Sequence, residues 1–108
     1  MRGSMEMQMS GSVVRKMTTK HGLLDMAKEA TTDRGAHYGS PQENFDRIAR
    51  RWRVHILNRF GVDIALDAAS VAIMCIDLKA ARLEHTDHLD SIVDIAGYAA
   101  CLAEIIKT

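Results

Sequence analysis

The stretch DHLDSIVDIAGYAACLAEII, residues 87–106, decides the fold because it combines a nearly continuous apolar helix with acidic side chains. Asp90 and Asp94 lie one helical turn apart, and the residues around them leave no wide solvated face, so much of this helix should be buried. A carboxylate that is removed from water has to be neutralised, paired or bound to a metal. The sequence therefore predicts a cation beside Asp94, either Lys79 or Arg82, or a divalent metal.

The composition indicates a single all-α domain. The chain has 108 residues, of which 47% are hydrophobic but only 5% aromatic, and it contains one proline. Strand-like alternation is absent, and short links between long helices favour antiparallel neighbours, so we predict a compact four-helix bundle. The opening Met-Arg-Gly-Ser is typical of an expression leader. We expect residues 1–18 to be a flexible, tag-derived leader and residues 19–108 to form the domain.

Hydrophobic spacing and capping residues place the helices. They are predicted at about residues 19–31, 40–60, 67–84 and 87–106. The first is followed by a predicted loop, TTDRGAHYGS, at residues 31–40. Ser40 and Glu43 form an S-x-x-E capping box for the second helix, and Gly61 ends it. Asp67 is a suitable N-cap for the third helix.

Charge and cysteine content bear on partners and compartment. The net charge is zero, but residues 1–59 carry 11 basic and 6 acidic residues, whereas residues 60–108 carry 3 and 8. This asymmetry favours packing of the two halves within or between chains, and we expect a homodimer or tetramer. No apolar run reaches the ~18 residues that span a membrane, so a cytoplasmic protein is expected. Cys75 and Cys101 lack CxxC spacing and are predicted to be reduced core residues.

Two further motifs allow alternative interpretations. A basic second helix with an embedded Trp52 could contact nucleic acid, but such a stripe is more often a solvated face or the partner of an acidic surface. Nucleic acid is therefore not the expected partner. The arginines of this second helix are Arg47, Arg50, Arg51, Arg53 and Arg59. The link EHTDHLD, residues 84–90, contains metal-ligand residue types, but histidines in a short polar link are usually exposed to solvent.

The chain resembles a family of small phage-encoded helical proteins of uncharacterised function. The resemblance covers roughly residues 20–106 and rests on an Arg-Gly…Tyr-Gly segment, an Asn-Phe…Ile-Ala…Trp helix, a Lys-x-x-Arg element and a closing Asp…Asp-x-x-Gly-Tyr helix. The matching residues are Arg34, Gly35, Tyr38, Gly39, Asn44, Phe45, Trp52, Lys79, Arg82, Asp90, Asp94, Gly97 and Tyr98. A phage origin implies the host cytoplasm.

That family is in turn distantly similar to the MazG-type all-α nucleoside-triphosphate pyrophosphohydrolases. Those enzymes are Mg²⁺-dependent helical bundles, usually dimeric or tetrameric, that convert NTPs to NMP and pyrophosphate. Their metal ligands come from an E-x-x-E element and an E-x-x-D element on successive helices. Here the last helix offers Asp90-x-x-x-Asp94, and Asp77-x-Lys79-x-x-Arg82 replaces the glutamate pair, which implies weaker or fewer metals.

The resemblance implies a candidate site and leaves two hypotheses. In the first, Asp90 and Asp94 bind Mg²⁺, and Lys79 and Arg82 are the catalytic cations that balance the phosphate charge. The residues expected to bind the rest of the nucleotide are Arg34, Tyr38, Asn44 and Tyr98. In the second, the protein is a non-catalytic phage interaction or nucleotide-binding module, and the same polar residues form a structural salt-bridge core.

Overall fold

The computed structural model describes residues 19–107, and these residues form four α-helices and no β-strand. The helices are α1 (Lys20–Tyr38), α2 (Pro41–Phe60), α3 (Ala68–His85) and α4 (Leu89–Ile106). The prediction of an all-α fold with four helices is confirmed for this part of the chain. The expected leader at residues 1–18 lies outside the described residues. None of the four helices is both long and apolar enough to cross a membrane.

The boundaries of α2 and α3 follow the capping signals in the sequence. The Glu43 backbone N–H donates to Ser40 Oγ at 3.1 Å, and the Ser40 hydroxyl donates to Glu43 Oε1 at 3.0 Å. Gly61 ends α2 with a φ of 71°, a left-handed conformation that glycine adopts without strain. Asp67 Oδ1 accepts from the Ser70 backbone N–H at 2.8 Å. This hydrogen bond lowers the pKa of Asp67 and starts α3 where it was predicted.

Helix α1 is longer than predicted. It continues to Tyr38, through most of residues 31–40, which the sequence predicted to be a loop. The Thr32 hydroxyl donates to the Lys28 carbonyl at 2.8 Å, so a turn-favouring side chain is satisfied inside the helix. At the C-terminus of α1, Arg47 Nη2 donates to the Tyr38 carbonyl at 2.6 Å, and Gly39 adopts a φ of 84°. The predicted loop is therefore reduced to a two-residue link between α1 and α2.

Helix α4 begins slightly later than predicted, with His88 rather than Asp87 at the N-cap position. His88 Nδ1 lies 2.8 Å from Ser91 Oγ, and Ser91 is only 1% exposed. Because a buried hydroxyl needs a hydrogen-bond partner, this contact favours the start of the helix at His88.

The core lies where α4 meets the other helices, since α4 contacts each of them. Its buried cluster consists of Phe45, Ala49, Ala68, Val71, Ala72 and Cys101. The rings of Phe45 and Tyr98 pack with their centroids 6.0 Å apart. Cys75 packs against this cluster, both cysteines are free thiols, and burial raises the pKa of each. The prediction that both cysteines lie in or against the core is confirmed.

Helix α4 is less buried than its sequence suggests. Ser91, Val93, Gly97 and Cys101 form one buried stripe. The exposed side carries Ala99, Ala100, Ala103 and Ile106. The prediction that the helix has no wide solvated face is wrong for that side, because the other three helices pack against only part of its circumference.

Candidate functional site

A half-buried ion pair joins α3 to α4. Lys79 Nζ lies 2.9 Å from Asp94 Oδ2, and the two side chains are 14% and 27% exposed. The contact that the sequence predicted is confirmed, although the aspartate is half-buried rather than buried. At this distance the pair is a charge-assisted hydrogen bond, and it fixes α3 against the middle of α4.

Arg34 approaches the same part of α4 from α1. Its guanidinium carbon lies 4.7 Å from the centroid of the Tyr98 ring, one helical turn beyond Asp94. Burial on its own lowers the pKa of Arg34, but the interaction with Tyr98 and the negative charge of Asp94 outweigh it and raise this pKa above its usual value. Arg34 therefore remains cationic, and Asp94 lies under the influence of two positive charges from two different helices.

Small residues allow α1 and α4 to approach closely at this point. Gly97 is buried, and a Cβ added there would lie 3.4 Å from Thr31 Cγ2. The two helices enclose a narrow cleft of about 10 Å³, lined among others by Arg34, Asp94 and Tyr98. This space is below the range of about 300–1,000 Å³ that small-molecule sites occupy, so the cleft by itself cannot hold a nucleotide.

A wider depression of about 510 Å³ shares the α1–α4 seam with this cleft. Its wall carries three carboxylates, from Glu29, Asp90 and Asp94, beside Met26 and Val93. The sequence did not single out Glu29, because it lies on an ordinary solvated face of α1 and is brought near Asp94 only by helix packing. Within the part of the chain that the structure describes, no three metal-binding side chains converge, so these carboxylates are spread along the wall.

The structure does not bring all of the predicted site residues together. Tyr38 is 57% exposed at the end of α1, and Asn44 is half-buried near the start of α2. Arg82 and Asp90 are exposed on α3 and α4, and neither has an ion-pair partner among residues 19–107. The connected group consists of Arg34, Lys79, Asp94 and Tyr98.

Replacing Arg34 by methionine is expected to lower the free energy of unfolding by about 1 kcal/mol, because the cation over the Tyr98 ring is lost while most of the stem packing remains. Arg59→Met is the matched control. Arg59 lies 5.9 Å from the centroid of Phe60, a ring that is 67% exposed, and its replacement should cost less than about 0.5 kcal/mol. Urea denaturation measures both variants, and equal losses would contradict the special role of Arg34.

Comparisons with known proteins identify relatives in phages. A family profile described as "Domain of unknown function (DUF6378)" matches residues 22–106. The Gene 55 protein of Mycobacterium phage L5 is 41% identical over 85 residues, which cover 77% of this chain and 51% of the relative. The Gene 55 protein of Mycobacterium phage D29 is 35% identical over 76 residues, which cover 69% of this chain and 46% of the relative.

The chain thus spans about half the length of these two relatives. No solved structure matches it significantly. The matches support the resemblance to phage proteins of unknown function that the motifs indicated, and none of them concerns a MazG-type enzyme.

Proposed function

The chain belongs to the DUF6378 family, and we propose that it binds a Mg²⁺–nucleoside triphosphate in the α1–α4 depression and hydrolyses it to NMP and pyrophosphate. The observation that carries this proposal is the meeting of carboxylates and partly desolvated cations at one seam. Asp94 belongs both to the depression wall and to the ion pair with Lys79. The four helices would then be a MazG-like bundle, acting in the host cytoplasm.

The acidic side chains suit a magnesium ion that is shared with phosphate oxygens. In nucleotide sites Mg²⁺ is usually held by one or two carboxylates, and phosphate oxygens and water fill its other positions. Asp90 and Asp94 would supply two carboxylates from adjacent turns of α4. A third converging protein ligand is therefore not required. When bound, the ion would polarise the phosphate oxygens and orient water for attack.

The basic residues would balance the charge of the phosphates. Lys79 is held 2.9 Å from Asp94, so it lies beside the carboxylate that would carry the metal. Arg34 is held against the Tyr98 ring. Both cations are in place before a ligand arrives, which reduces the entropy cost of ordering them on binding. Arg82, one helical turn beyond Lys79, would contact the outer phosphates.

The reaction consumes one water and breaks the bond between the α- and β-phosphates, so that NTP and water give NMP and pyrophosphate. The attacking water has to release a proton. Glu29 lines the depression, is exposed and has no ion-pair partner in the described part of the chain. A free carboxylate in that position is the available proton acceptor.

A second candidate is the non-catalytic module, and the Lys79–Asp94 pair favours it. An aspartate that a lysine already neutralises does not need a metal. In that case the polar residues hold α1, α3 and α4 together, and any nucleotide would bind without a requirement for Mg²⁺.

A thermal-shift experiment with NTPs and dNTPs, each with and without Mg²⁺, distinguishes the enzyme from the non-catalytic module. The enzyme proposal predicts a rise in melting temperature with nucleotide and Mg²⁺ together, since a ligand at 100 times its Kd adds about 2.7 kcal/mol. Asp94→Asn should abolish this rise. Asp46→Asn is the matched control, because this half-buried carboxylate of α2 lies outside the depression wall, and it should leave the rise intact.

A shift that does not depend on Mg²⁺ and persists in Asp94→Asn would favour the non-catalytic module. No shift with any nucleotide would contradict nucleotide binding altogether.

A further inference from the structure

An uncovered apolar surface lies on α2 and α3. None of residues 50–60 and none of residues 73–85 is buried. Its exposed apolar side chains include Val54 (57%), Leu57 (45%), Ile73 (48%), Met74 (40%) and Leu78 (55%). Soluble monomers rarely leave large apolar patches in contact with water, so exposed apolar side chains on two helices that contact each other favour a partner that covers them.

Helix α3 is packed on one side only. At 100° per residue, Ile73, Met74, Asp77 and Leu78 lie on one side of the helix, and we call these four residues the α3 stripe. Lys79, which contacts Asp94 on α4, projects from the opposite side. The α3 stripe is therefore separate from the candidate nucleotide site, although both depend on the same helix.

Helix α2 presents a surface that is complementary to the α3 stripe. Arg50, Val54 and Leu57 are spaced at i, i+4 and i+7, so they share one side of α2, and we call them the α2 face. Arg50 and Asp77 are both exposed, and neither forms an ion pair within residues 19–107. The α3 stripe is thus an apolar strip with one negative charge, whereas the α2 face is apolar and basic, since Val54 lies beside Arg47, Arg50 and Arg51.

We propose that a second copy of this chain covers these surfaces. The α2 face of one subunit packs on the α3 stripe of the other, with Arg50 opposite Asp77 of the partner subunit, and a two-fold axis repeats the contact. A second copy is the occupant because each chain carries both members of the charge pair and does not join them within the described residues. The two-fold arrangement buries both apolar strips in one closed assembly and leaves neither exposed.

The charges at the contact itself agree with this arrangement. Helix α2 carries five arginines against Glu43 and Asp46, a balance of +3, whereas Asp77 is the charged residue of the α3 stripe. Pairing of the α2 face with the α3 stripe therefore brings unlike charges together twice, which favours it over contact between two α3 stripes, where Asp77 would face its own copy.

Sedimentation equilibrium over a range of protein concentrations tests the proposal. The wild type should be a dimer, and Leu78→Asp should raise the dissociation constant about tenfold or more. Leu24→Asp is the matched control, because Leu24 on α1 is 57% exposed but lies outside both surfaces, and it should leave the constant unchanged. Circular dichroism should show full helicity for both variants, since each replaces an exposed side chain.

A reciprocal charge exchange identifies the contacting helices. Arg50→Asp and Asp77→Arg should each weaken the dimer, and the double variant should recover most of the affinity. A wild type that remains monomeric at high micromolar concentration would overturn the proposal. Equal constants for Leu78→Asp and Leu24→Asp, or a double variant as weak as the single ones, would also overturn it.

Discussion

Replacing Phe45 by alanine is expected to lower the free energy of unfolding by about 3–5 kcal/mol. Phe45 is 2% exposed, lies in the central cluster and packs against Tyr98. The other buried apolar residues are Ala27, Ala49, Ala68, Val71, Ala72, Val93 and Cys101, and all of them are small. Larger side chains such as Trp52, Tyr98 and Leu102 already pack against this cluster, so the surroundings fill the cavity only in part. Domains of this kind are stable by only about 5–15 kcal/mol.

Phe60→Ala is the matched control for this prediction. Phe60 ends α2 and is 67% exposed, so its removal creates no cavity and should cost less than about 1 kcal/mol. Thermal and urea denaturation followed by circular dichroism measure both variants. Similar losses for Phe45→Ala and Phe60→Ala would contradict the position of the core.

Replacing Asp94 by asparagine should reduce NTP cleavage by about 100-fold or more, since even residues that only support metal ligands contribute 10–100-fold. Asparagine keeps the shape but removes the charge. The same variant should lose about 1–2 kcal/mol of stability, because Lys79, 14% exposed, then lacks its counter-ion. Stopped assays of NMP formation and urea denaturation measure the two effects.

Two companion variants separate the catalytic and structural roles of Asp94. Asp90→Asn removes an exposed carboxylate with no ion-pair partner in the described residues, so it should reduce activity with little change in stability. Adding Lys79→Met to Asp94→Asn should restore part of the lost stability, because no buried charge remains. Full activity in Asp94→Asn would remove this residue from the site.

The helix boundaries that the sequence predicted correctly depend on short-range signals. Ser40 with Glu43, Asp67 and Gly61 act on backbone groups within one turn, so their effect can be predicted without knowledge of the rest of the fold. The extension of α1 could not be predicted in this way. It depends on Arg47 at the Tyr38 carbonyl and on Arg34 at the Tyr98 ring, and such tertiary contacts outweigh local turn preferences.

The candidate site shows the same division. Asp94 could be predicted to meet Lys79 because an aspartate surrounded by apolar residues requires a cation, and the 2.9 Å contact agrees. Glu29 could not be predicted, since nothing in its local sequence distinguishes it from a solvated glutamate. The family resemblance implies that Tyr38 binds the nucleotide together with Arg34. Continuation of α1 through that segment leaves Tyr38 exposed at the helix end.

The most direct test of the proposed function is the ³¹P NMR spectrum of an NTP incubated with the protein and Mg²⁺. We predict that signals of NMP and pyrophosphate grow at equal rates with the wild type, about 100-fold or more slowly with Asp94→Asn, and more slowly than the wild type with Asp90→Asn. Release of NDP and orthophosphate, or no hydrolysis of any NTP or dNTP by the folded wild-type protein in the presence of Mg²⁺, would contradict the account.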